Sequence, residues 1–98
     1  MGRNNPEIKW EPFVGSDGLV VLGEHTGTLR KQPDLRMEAS NYRWAVYVMG
    51  VRAREVVVQD HRYERYCRAE NNPKITRLDY AKAMATAFAS SIIQRTSS

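Results

Sequence analysis

The segment from Thr76 to Ile93 constrains this chain more than any other. Thr76 and Asp79 stand at capping-box spacing, with Asp a shorter stand-in for the usual Glu. Leu78, Ala81, Ala85, Phe88 and Ile92 follow at alternating steps of three and four, one apolar stripe widened by Met84 and Ala89. Lys82 and Arg95 fall off it. A helix of this kind must lay its stripe on another element, and its alanines let it approach a sheet closely. The residues before it must supply that surface.

They read as strands. Tyr42 to Met49 alternates, with Tyr42, Trp44, Val46 and Val48 on one face and Arg43, Ala45, Tyr47 and Met49 on the other. Leu35, Met37 and Ala39 alternate with Arg36 and Glu38, and Ser40-Asn41 makes a tight connection between the two runs. Beyond Gly50, Arg54 to Gln59 with its three valines reads as a partner strand. Leu19 to Leu22 is a short apolar run after the turn signal Gly15-Ser-Asp-Gly18. Gly23 to Gly27 is expected to turn the chain, with Thr28 to Lys31 pairing back. Ile8, Trp10 and Phe13, interrupted by Pro12, suit an extended arm or edge strand. The aromatics there either cover the sheet edge or anchor a partner. His61 to Glu70 fits a short helix or an irregular connection, ended by Asn71-Asn72-Pro73. The expected fold is α+β, an antiparallel meander of three to five strands with one long C-terminal helix on one face. At 98 residues it is one small domain, 1–98, with 1–7 and 95–98 expected to be flexible.

Several classes are excluded. No apolar run approaches the roughly 20 residues of a membrane helix. One cysteine, Cys67, permits neither an intrachain disulfide framework nor a cysteine-based zinc cluster. With no apolar leader, it points to a cytoplasmic setting. Neither GxGxxG nor GK[ST] occurs, so no nucleotide cofactor is expected. His25, Asp60 and His61 lack a recognised metal-ligand spacing. Cys67 with His25 or His61 has the elements of a thiolate-imidazole pair, but no nucleophile elbow or Gly-rich anion hole accompanies it. The expectation is a non-enzyme without cofactor or metal.

Charge suggests the partner. The chain carries 15 Lys and Arg against 11 Asp and Glu, for +4. Residues 1–35 hold four basic and five acidic side chains, whereas residues 36–82 hold ten and six. Arginine outnumbers lysine 11 to 4, and its planar fork suits phosphate and stacked contacts. Arg52, Arg54, Arg62, Tyr63, Arg65, Tyr66 and Arg68 interleave cations with aromatics, as nucleic-acid binding requires. The same pattern also arises when tyrosines bury their rings and arginines pair with Glu64 and Glu70. Arg43 and Tyr47, beside Arg36 or Arg54, would extend the surface over the outer sheet face. No zinc-finger spacing, RNP1 run or GXXG clamp is present.

Three functions follow as expectations. The first is a binding module whose Arg/Tyr surface contacts nucleic acid. The second is a protein-binding adaptor or inhibitor that blocks a nucleic-acid-handling complex, a size class shared by small phage-encoded inhibitors. The third is a homodimer built through an exposed strand edge.

Overall fold

Strand alternation decides which side chains meet the helix. In the computed structural model, which describes residues 8–15, 18–27 and 33–96, five strands precede two helices. They are β1 (Lys9–Gly15), β2 (Gly18–His25), β3 (Leu35–Ala39), β4 (Arg43–Val48) and β5 (Val51–Val57), then α1 (Asp60–Glu70) and α2 (Arg77–Thr96). Each strand pairs antiparallel with its chain neighbour, in the order β1-β2-β3-β4-β5. The fold is α+β, with α2 packed across β3 and β4. No helix among the described residues is long and apolar enough to cross a membrane.

The core lies between α2 and one sheet face. Leu35, Met37 and Ala39 of β3 stand opposite Val48, Val46 and Trp44 of β4. Met37 and Val46 are fully buried. Tyr42 departs from the expected inner row: it precedes β4, in the β3–β4 turn, and is 73% exposed. Ser40 builds that turn. Its Oγ accepts the N–H groups of Tyr42 and Arg43, each at 3.2 Å, so a buried hydroxyl is satisfied by the bend it makes.

In α2 the reciprocal cap forms as expected. The Asp79 N–H donates to Thr76 Oγ1 at 3.0 Å, and the Thr76 N–H to Asp79 Oδ2 at 3.4 Å. The buried ridge is Ala81, Ala85, Ala89 and Ile93, joined by Tyr80. Leu78, Phe88 and Ile92 of the expected stripe are its half-buried margin. A ridge repeating every four residues presents alanine to the sheet and brings the two backbones close.

Residues 60–70 form a regular helix. It ends in a Schellman arrangement, with Asn71 left-handed at φ 54°, its N–H on the Arg68 carbonyl and the Asn72 N–H on the Cys67 carbonyl.

Two strand expectations need correction. Gly23 does not turn the chain; β2 runs through it to His25. Gly23 faces Trp10 across the β1–β2 pair, and the missing side chain makes room for the indole. The partner strand β5 begins at Val51, directly after a tight turn in which Met49 and Gly50 both have positive φ, the type I′ pattern. The suggested pairing of Thr28 to Lys31 lies outside the described residues.

Candidate functional site

A bulge in β5 sorts the arginines that the sequence places together. From the turn, Val48 pairs with Val51 and Tyr47 with Arg52, but Val46 then pairs with Arg54, leaving Ala53 as the extra residue. A regular ladder would put Arg54 beside Arg52 on the outer face. The bulge instead turns Arg54 to the helix side, where its guanidinium lies 5.0 Å from the centroid of the Phe88 ring, itself against Trp44. Arg54 therefore does not join Arg43 and Tyr47. The same shift brings Val56 opposite Trp44 and Glu55 opposite Ala45.

Glu55 lands between two arginines on the outer face. It accepts Arg52 Nη1 at 2.8 Å on Oε1 and Arg43 Nε at 3.4 Å on Oε2. Arg36 pairs with Glu38 at 3.5 Å and stacks on Tyr47 at 4.6 Å. By register, Lys9, Arg36, Arg43 and Arg52 share this face with Glu11, Glu24, Glu38 and Glu55. Four cations and four anions interleave there, so the outer strand residues carry no net attraction for an anion.

α1 separates its charges differently. Tyr63, Tyr66 and Cys67 form the half-buried side. The Tyr63 ring stands edge-on to Tyr80 at 6.0 Å and the Tyr66 ring at 5.2 Å. The Tyr63 hydroxyl donates to the Ile75 carbonyl, and the Cys67 thiol points to the same oxygen at 3.9 Å. Burial raises the pKa of both phenols above 10.0, helped by the Cys67 hydrogen bond at Tyr63 and by the Glu70 charge at Tyr66. These tyrosines hold α1 against α2 and do not front the solvent with the arginines. Asp60 is bound by Arg77, which also lies over the Tyr63 ring at 5.0 Å.

His61, Arg65 and Arg68 point the other way, at i, i+4 and i+7, with Arg62 on one flank and Glu64 on the other. All are exposed. Helical periodicity places Asp60 and Glu70 toward the docked side, so Glu64 alone opposes three guanidinium groups on the outward face. Among the described residues, Arg36, Arg43, Arg52, Arg54, Arg77 and Arg95 each engage a carboxylate, a ring or a carbonyl. Arg62, Arg65 and Arg68 engage none. The side-chain partition cannot be read from charge counts; helix phase gives it once 60–70 is known to be helical.

His25 lies opposite Leu35, with Nε2 buried and without a hydrogen-bond partner among the described residues. No group of three or more His, Cys, Asp or Glu positioned to hold a metal occurs among the described residues. Neither a family model, nor a curated protein, nor a solved structure matches this chain.

Proposed function

We propose that this chain is a non-enzymatic module that binds nucleic acid through the outward face of α1. The observation that carries the reading is the set Arg62, Arg65 and Arg68, three exposed guanidinium groups on one helix with no partner among the described residues, where six other arginines are engaged. From Arg62 to Arg68 the helix advances about 9 Å, enough for two or three phosphates at about 3.4 Å of duplex axis per charge on one strand. Arginine forks meet phosphate oxygens in a bidentate fashion. The contact needs no cofactor and no bond chemistry.

The test is fluorescence anisotropy with labelled duplex and single-stranded oligonucleotides at low salt, using wild type and the variant R62E/R65E/R68E. All three positions are exposed, so the variant should keep the wild-type Tm. Binding by the wild type and loss in the variant support the reading. Equal binding by both, or none by the wild type, overturns it.

A second reading, docking onto a nucleic-acid-handling protein as an adaptor or inhibitor, draws on Met49 and Val51, which are 66% and 70% exposed at the β4–β5 hairpin. It predicts that Met49→Ser with Val51→Ser abolishes partner capture while charge reversal on α1 does not.

A further inference from the structure

We infer that Tyr42 is a stacking platform for an unpaired base, and that the ligand of the α1 face is single-stranded nucleic acid. This rests on the reading of α1 as a phosphate-binding face and names the class of nucleic acid it takes.

Of the nine described aromatic rings, seven meet another ring or a cation, and Phe13 is half-buried on β1. Trp10 lies over Gly23 and under Lys82, and Trp44 packs on Phe88. Tyr63 and Tyr66 meet Tyr80, and Tyr47 lies beneath Arg36. Tyr42 is different. It is 73% exposed, and among the described residues its ring meets no other ring or cation and its hydroxyl makes no hydrogen bond.

The backbone beneath it is held firmly. The Tyr42 N–H donates to Ser40 Oγ, the Ser40 N–H to the Arg43 carbonyl at 2.9 Å, and the Val58 N–H to the Tyr42 carbonyl at 2.8 Å. That last bond fixes its location, because Val58 stands two residues before Asp60, the first residue of α1. The exposed phenol is thus carried on the turn paired with Val58, in the segment that leads into α1, the helix with the unpaired arginines. Val57, 65% exposed, stands opposite Arg43.

A single strand uses a flat face together with a row of cations: phosphates follow the charges while a base lies on the ring. In a duplex the base faces are already stacked on their neighbours, so the ring has nothing to receive. Sequence preference is expected to be weak, since every base has a π-face.

The experiment compares wild type, Tyr42→Ala, Tyr42→Phe and R62E/R65E/R68E on a labelled single-stranded oligonucleotide and on the matching duplex. Tyr42→Ala should lower single-strand affinity by about 5- to 150-fold. Tyr42→Phe should retain it, and duplex affinity should not respond to either change. If Tyr42→Ala binds the single strand as wild type does while the arginine variant does not, the stacking inference falls and the α1 reading stands. Tighter wild-type binding to duplex than to single strand also overturns the inference. If the wild type binds neither oligonucleotide, both fall.

Discussion

Replacing Gly23 by alanine sets two physical effects against each other. Glycine inside a strand is entropically costly, so alanine alone should stabilise by about 0.5–1 kcal/mol. The structure predicts the opposite sign. A Cβ at Gly23 would stand 2.9 Å from Trp10 Cδ2 and Cε2 and 2.9 Å from Ile8 Cγ2, whereas ordinary contact begins near 3.4 Å. The indole must retreat by about half an ångström, yet it packs against the core and meets the Lys82 ammonium on the helix side. Overpacking of this kind costs about 1–3 kcal/mol. Net destabilisation should reach up to about 2.5 kcal/mol, and for a domain of this size each kcal/mol lowers Tm by about 4–8 °C. Thermal unfolding followed by circular dichroism reads it. Repeating the substitution in a Trp10→Ala background isolates the indole's share, because only the Ile8 contact then remains and the penalty should shrink. A rise in Tm on the wild-type background, or an equal fall on both, would refute the packing argument.

Further outcomes follow from the same geometry. Met37→Ala empties a fully buried site between β2, β4 and α2 and should cost about 2–5 kcal/mol, seen as a Tm fall of at least about 8 °C; a smaller fall would mean the core collapses around the gap. Deleting Ala53 removes the bulge while keeping Val46 opposite Arg54, so the fold should survive with near-wild-type far-ultraviolet dichroism; loss of structure would show that the bulge itself is required. The raised phenol pKa values of Tyr63 and Tyr66 set an alkaline limit. The unfolded chain loses those protons first, near 10.0, so their stabilising contribution is present below that pH and is lost as pH climbs through the raised folded values. Tyr66→Phe should flatten the fall of Tm above about pH 10, and an unchanged slope would assign the alkaline loss elsewhere.

The legible parts of the sequence were those where spacing alone carries the physics. Thr76 and Asp79 announce the α2 cap, and Leu35, Met37, Ala39, Trp44 and Val46 announce the buried face by alternation. The misread parts turn on features with no local signature. One extra residue at Ala53 reverses the facing of everything after it in β5, so Arg54 leaves the surface to which alternation assigns it and Glu55 arrives to neutralise Arg43 and Arg52. Gly23 looks like a chain breaker because its purpose, making room for Trp10, lies on another strand. For Tyr63 and Tyr66 the sequence leaves surface and buried rings both open, because Tyr80, which takes their rings, stands more than a dozen residues on. Tyr42 sits one residue beyond the strand whose inner face it seems to share, which is why it is exposed.

The proposed binding rests on Arg62, Arg65 and Arg68 neutralising phosphates. The most direct measurement is the slope of log affinity against log salt concentration for a single-stranded oligonucleotide. Three neutralised phosphates predict a slope near −2, about an 18-fold loss between 50 and 200 mM salt. Reversing all three charges should abolish binding at both concentrations. A wild-type affinity indifferent to salt, or a variant retaining the wild-type slope, would contradict the claim that these arginines form the binding face.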